Sequence, residues 1–230
     1  NLLFNNAGIG GGGSFVNSTR EEWERTFNIC WNGVYLMTRT FLPLLLNSQE
    51  GHVINTSSVN GFRASLGGNV PHTAYSAAKF AVKGFTEALI NDFRFNAPHL
   101  KASVVMPGYV GTQIAKNTGR ILGQKAPEDL TDEEIETSRG DWSKGGWVEI
   151  DQQASADDIR QQLQERYDQY DKGGLTPDEA ATVILDGVKA DEWRILVGPD
   201  AVALDQAVRE SPVDAYDLDF SEKVWASMQR

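Results

Sequence analysis

Four short apolar runs, separated by longer stretches whose apolar residues recur at helical spacing, constrain this chain more than any other feature. The runs cover residues 1–4, 52–56, 101–106 and 193–197, and Val53-Ile54, Val104-Val105 and Ile195-Leu196-Val197 within them are continuously aliphatic. Such runs fit strands covered on both faces, because a strand with one wet face would alternate polar and apolar residues. Between them, residues 19–46 open with the capping pair Thr19 and Glu22 and carry Trp23, Phe27, Cys30, Trp31 and Val34 at helical spacing. Residues 76–95 repeat Ala77, Phe80, Ala81, Phe85, Ala88, Leu89 and Phe93 in the same way, and residues 176–189 begin Thr176-Pro177-Asp178-Glu179, a cap followed by proline at the first helical position. Strand and helix in strict alternation predict an α/β fold, a doubly wound parallel sheet.

Residues 113–174 break the alternation. This acidic, glutamine-rich excursion leaves the end of the third strand, with a polar helix predicted over 157–170. Excursions from the carboxyl ends of strands in open α/β sheets commonly cover a substrate. The prediction is therefore one domain over 1–230 with a lid at 113–174, in which Trp142, Trp147 and Ile150 form an apolar cover.

Charge is divided unevenly along the chain. Up to Thr112 there are 8 Lys+Arg against 6 Asp+Glu, and from Gln113 onward 13 against 26, for an overall formal charge of −11. A field of that sign repels phosphates, which argues against nucleic acid or an anionic membrane as partner. No apolar run is long enough to span a bilayer, residues 1–13 lack the features of a signal peptide, and Cys30 is the single cysteine. A cytoplasmic location and no metal site are the corresponding expectations. Residue 1 is asparagine, and residues 1–4 read as the tail of a buried strand, so the chain is expected to be incomplete at its N-terminus, with a bare sheet edge there.

The chemistry-bearing residues are Ser58, Tyr75 and Lys79. Tyr75 and Lys79 stand four apart at the start of a helix and share one face. An ammonium beside a phenol favours the phenolate and is expected to lower the pKa of Tyr75, giving an acid/base usable near neutrality. Ser58 ends the strand containing Val53 and Ile54, where its hydroxyl can hold an oxygen against the phenol.

Each neighbouring motif also ends a strand or starts a helix. Asn5-Asn6-Ala7-Gly8 ends the first strand, Asn55-Thr56-Ser57-Ser58 the second, and Pro107-Gly108-Tyr109-Val110-Gly111-Thr112 the third. This order resembles the short-chain dehydrogenase/reductase (SDR) family over nearly the whole chain from Asn5 onward, with a Rossmann-like sheet. The resemblance implies Tyr75 as acid/base, Lys79 as its electrostatic support and a holder of the nicotinamide ribose, and Ser58 as the residue that positions the substrate oxygen. It implies that Asn5, Asn6, Ala7 and Gly8 pass under the ribose of NAD or NADP, and that Pro107, Gly108, Val110 and Thr112 meet the carboxamide. It also matches the helix at 76–95 to one that commonly packs in a homo-oligomer, although the same face fits an intramolecular core.

Three departures accompany the resemblance. The family's asparagine in a Phe-x-x-Asn-x-x-Gly pattern is replaced by Cys30 within Phe27–Gly33, with Asn28 and Asn32 on either side; a thiol lacks a carboxamide's hydrogen-bonding set, and a local shift would be needed for Asn32 to serve. The interval from Ser58 to Tyr75 is long, with 67–72 as the apparent insertion and His72 expected in solvent. The phosphate-binding glycine turn is absent: Gly8-Ile9-Gly10-Gly11-Gly12-Gly13 follows the wrong strand and reads as a loop beside the cofactor. The expected function is hydride transfer between a nicotinamide and a secondary alcohol or ketone. The alternative is a non-catalytic fragment or binding protein unable to hold the dinucleotide alone.

Overall fold

Side chains along a strand alternate between its two faces, so a strand without alternation needs a helix layer on each. The computed structural model, which describes residues 1–11, 13–65, 71–145, 151 and 153–228, the side chains of 141–145 excepted, has this arrangement. Strands β1 (Leu2–Asn5), β2 (Gly51–Thr56), β3 (Leu100–Pro107) and β4 (Arg194–Val197) form a wholly parallel sheet in the order β1-β2-β3-β4. Parallel neighbours cannot be joined by a tight turn. The crossovers are α1 (Arg20–Phe27) with α2 (Gly33–Leu46), then α3 (Thr73–Asn96), then α4 (Ile114–Leu122), α5 (Asp132–Gly145), α6 (Ala156–Lys172) and α7 (Pro177–Lys189). Two further helices, α8 (Pro199–Glu210) and α9 (Phe220–Met228), follow β4. The α/β, Rossmann-like expectation holds.

On one face Leu3, Val53 and Ala102 lie side by side in register and pack against Leu42 and Leu45 of α2 and Leu89 and Phe93 of α3. On the other, Ile54, Val105, Ile195 and Val197 pack against Ala180, Ile184 and Val188 of α7. Burying each such aliphatic side chain is worth about 1.5–3 kcal/mol, so the two layers explain why the runs are continuous. Phe4 pairs with Ile54 and shares its face, yet Phe4 is 41% and Leu2 58% exposed, and β1 has a strand partner on one side only among the described residues.

The long helix expected over 19–46 is interrupted. The capping box of Thr19 and Glu22 starts α1 as expected, but Asn28–Asn32 is wound as a π-helix before α2 continues. The excursion at 113–174 holds three α-helices where one was expected, and Ile135, Ile159 and Leu163 give it a small core of its own. Trp147 and Ile150 lie outside the described residues, as do residues 67–70 of the apparent insertion and the side chain of Trp142.

The start of α7 carries a stability prediction. Thr176 Oγ1 accepts the Glu179 N–H at 3.3 Å, while the Glu179 carboxylate accepts the Thr176 N–H at 2.9 Å and its hydroxyl at 2.7 Å. Thr176→Ala removes the cap and should cost about 1 kcal/mol in urea unfolding; an unchanged midpoint would mean that other contacts hold this helix end.

Candidate active site

β1, β2 and β3 end on one side of the sheet at Asn5, Thr56 and Pro107, and α3 begins on that side at Thr73, which puts Tyr75 in its first turn. Parallel sheets collect ligand-facing residues at this carboxyl edge. Ser58 is extended and caps a short 3-10 turn, Val59–Gly61, by accepting the Asn60 N–H at 3.2 Å. Its hydroxyl also lies close enough to the Tyr75 phenol to favour the phenolate. One turn along α3, the Lys79 ammonium donates to the Thr56 carbonyl at 2.9 Å and stands 5.4 Å from the Tyr75 ring centre. The three residues picked out by spacing thus converge. Ser57 serves otherwise, donating to the Lys79 carbonyl at 2.8 Å and tying β2 to α3.

The expected direction of the phenol's shift is reversed. Burial pushes Tyr75 up to about 12, outweighing the nearby Ser58 hydroxyl, which acts in the opposite direction. Burial also lowers the pKa of Lys79, which is only 4% exposed. Spacing alone could not show that the lysine is itself desolvated and turned to the Thr56 carbonyl. In this state Tyr75 is a protonated donor at neutral pH.

Asn5 is drawn into the interior. Its amide donates to Asn55 Oδ1 at 2.7 Å and to the Thr38 hydroxyl at 2.9 Å, and the Asn55 amide donates to Thr86 Oγ1 at 2.9 Å, which in turn donates to the Val82 carbonyl at 2.7 Å. This buried chain joins α2, β1, β2 and α3, so the Asn5 side chain is spent on structure. Asn6 is exposed beside it and accepts the Thr56 hydroxyl at 3.0 Å; Ala7 is exposed and Gly8 half-buried.

Cys30 lies in the π-helical turn, wholly buried, with its thiol donating to the Ile9 carbonyl at 3.2 Å. A Cβ placed on Gly8 would stand 3.6 Å from Lys79 Nζ and 3.7 Å from Cys30 Sγ, so the thiol and the ammonium flank that glycine. Asn32 donates to Asn28 Oδ1 at 2.6 Å on the exposed side of the turn. The shift that would bring Asn32 into the place of Cys30 does not occur.

The glycine loop and the loop after β3 are both held by later segments. Gly10 N–H donates to Thr118 Oγ1 of α4 at 2.8 Å, and the Gly13 carbonyl accepts from the N–H and hydroxyl of Thr73. Pro107, Gly108, Val110 and Thr112 are half-buried, and Val110 bridges to Gly174 and Leu175 beyond α6. Lys116 of α4 meets Asp168 at 3.0 Å and Asp171 at 2.9 Å on α6.

Three site neighbours carried no usable sequence signal. Tyr170 of α6 lies tilted against Tyr109, ring centres 4.9 Å apart, and the Tyr109 hydroxyl donates to the Tyr170 carbonyl at 2.9 Å. Burial, with the nearby Tyr75 as a smaller influence, pushes Tyr170 up to about 12. Asn60, wholly buried, donates to Ser76 Oγ at 3.0 Å and so links the serine turn to α3. His72, expected in solvent, is half-buried: it stands edge-on to Tyr75 at 6.2 Å, and burial lowers its pKa. Its surroundings are set by the glycine loop, remote in sequence. Among the described residues no group of three or more His, Cys, Asp or Glu is placed to hold a metal ion, and no helix is long and apolar enough to cross a membrane.

The parallel sheet, with Ser58, Tyr75 and Lys79 meeting at its carboxyl edge, is the arrangement that the sequence resemblance implies. A family model described as short chain dehydrogenase matches residues 1–121, and the chain belongs to that family. It is 31% identical over 207 residues to SadH of Mycobacterium tuberculosis, named as an oxidoreductase, covering 90% of this chain and 61% of that protein. It is 35% identical over 134 residues to 3-ketodihydrosphingosine reductase of Bacteroides thetaiotaomicron, covering 57% of this chain and 46% of the reductase. Among solved structures, a short chain dehydrogenase/reductase from Burkholderia phymatum in complex with NAD superposes with a TM-score of 0.65 at 26% identity, covering 92% of this chain and 66% of that one. A short chain dehydrogenase from Burkholderia cenocepacia in complex with NADP shares the fold, with a TM-score of 0.59 at 18% identity. The chain thus spans less than two thirds of the length of these proteins.

Proposed function

We propose that this chain carries the reaction centre of an NAD(P)-dependent oxidoreductase that moves a hydride between a nicotinamide and a secondary alcohol or ketone. The observation that carries the proposal is the convergence of Ser58, Tyr75 and Lys79 at the carboxyl edge of the sheet, with the Lys79 ammonium 5.4 Å from the Tyr75 ring centre. Ribose hydroxyls need hydrogen-bonding partners, and the Tyr75 phenol, the Lys79 ammonium and exposed Asn6 form a suitable set at the strand ends. Pro107, Gly108, Val110 and Thr112 are proposed to receive the carboxamide, and Ala7 and Gly8 to pass beneath the ribose, with Asn5 acting through the backbone it anchors. The bound dinucleotide supplies or takes the hydride.

The chain's own residues then manage a proton. In reduction, Tyr75 Oη gives its proton to the substrate carbonyl oxygen while the Ser58 hydroxyl donates to the same oxygen; in oxidation the transfer runs backward. Lys79 stabilises the phenolate that remains. Residues 113–174 are proposed to cover a small-molecule alcohol or ketone, with Tyr170 contributing to the wall. A cytoplasmic homo-oligomer is the proposed working form.

A second reading is favoured by one observation. Leu2 and Phe4 stand exposed on the face that α7 covers elsewhere. That open surface suits a further segment with the phosphate-binding glycine turn, without which the chain would be a binding-incompetent fragment. Fluorescence titration with NADH and NADPH separates the two: saturable binding to either supports the enzyme reading, and none to both leaves the fragment reading for this chain.

A further inference from the structure

The loop after β3 is shaped by a side chain that the reaction scheme does not use. Asp200 lies in the first turn of α8, and its Oδ2 accepts the Tyr109 N–H at 2.6 Å. The same carboxylate occupies space that two glycines leave open. A Cβ on Gly108 would fall within it, and one on Gly198 would also crowd Oδ1. Gly198 has φ of +105°, a backbone conformation that side chains other than glycine rarely adopt. Gly108 N–H donates to the Val197 carbonyl at 2.9 Å, which carries the β3–β4 pairing one step past the strands and brings both glycines against Asp200. On the far side, Gly111 N–H donates to the Leu175 carbonyl at 2.9 Å, and Leu175 N–H to the Tyr109 carbonyl at 3.0 Å.

The loop is therefore gripped from two directions, and the grip at Tyr109 depends on one carboxylate. A backbone N–H held by an ionised acceptor is bound roughly twice as strongly as by a neutral one. We infer that Asp200 is a positioning residue of the dinucleotide site, holding Pro107–Thr112 in the shape that receives the cofactor's carboxamide through the Tyr109 N–H and the recess between Gly108 and Gly198. This rests on the oxidoreductase reading above.

The test is fluorescence titration with NADH and NADPH, alongside thermal melting, for the wild-type chain, Asp200→Ala, Asp200→Asn and Gly108→Ala. Asp200→Ala should weaken binding of the preferred dinucleotide roughly tenfold, the size of one lost charge-assisted hydrogen bond. Asp200→Asn should restore most of it, since the amide oxygen still accepts the Tyr109 N–H in the same space. Saturating turnover should change far less than affinity. A drop in melting temperature with unchanged affinity in both Asp200 variants would leave a purely structural role and overturn the inference. Should Asp200→Ala not fold, Gly108→Ala decides: its methyl displaces the carboxylate, so a folded variant with wild-type affinity also overturns it. Binding by wild type with no effect of any substitution sinks the role of Asp200 alone. No saturable binding by wild type sinks the oxidoreductase reading of this chain, and the role of Asp200 with it.

Discussion

Replacing Tyr75 with phenylalanine should lower ketone reduction by about 10²–10⁴-fold, the usual contribution of a placed general acid. The substitution keeps the ring, and with it the contacts to His72 and Lys79, and removes only the hydroxyl. Dinucleotide affinity should fall only by the one ribose contact that the phenol makes, so most of the loss appears in kcat. A variant that kept most of its turnover would show that the proton comes from elsewhere. The raised pKa adds a signature in pH. The phenol moves from 10.0 to about 12 on burial, so the folded state holds its proton more tightly than the unfolded one. Its contribution to stability is fully present below about pH 10 and is lost as pH rises toward 12. Alkaline unfolding of the wild type should include this loss, and that of Tyr75→Phe should lack it.

Asn55→Ala should destabilise the chain by about 3–5 kcal/mol, from two buried hydrogen bonds and the cavity left behind. Asn55 is wholly buried, accepting from Asn5 at 2.7 Å and donating to Thr86 at 2.9 Å. Against a native stability of about 5–15 kcal/mol this is a large fraction. Urea unfolding checks it: the midpoint should fall with the slope unchanged. A loss under about 1 kcal/mol would mean that the polar chain from Thr38 to Thr86 does not couple the helices to the sheet.

Much of the fold was legible because burial on two faces leaves a direct imprint. Val53-Ile54 and Val104-Val105 can be continuous only where both sides are covered, and α2, α3 and α7 cover them. Tyr75 and Lys79 were legible as a pair because four residues of helix bring them to one face. The excursion was harder. Acidic α5 writes little apolar period, and α4 is only 9 residues long with Gly119 inside it, so one helix was expected where three occur. Asn5 looked like a ligand-facing residue until the β1–β2 register placed it beside Asn55. The π-helical turn at Cys30 was invisible because a spare residue per turn does not alter composition.

By itself the sequence determined the strand order of events along the chain, the layers on both faces of the sheet, and which three side chains could meet at its carboxyl edge. These depend on periodicity and short spacing, which act locally. Only the tertiary structure decided that burial raises the Tyr75 pKa instead of Lys79 lowering it, that Asn5 is structural, that Tyr170 joins the site, and that Asp200 shapes the loop after β3. Each of these depends on which distant segments exclude water from a group or fill the space beside it. Desolvation and close packing come from parts of the chain that no short pattern connects.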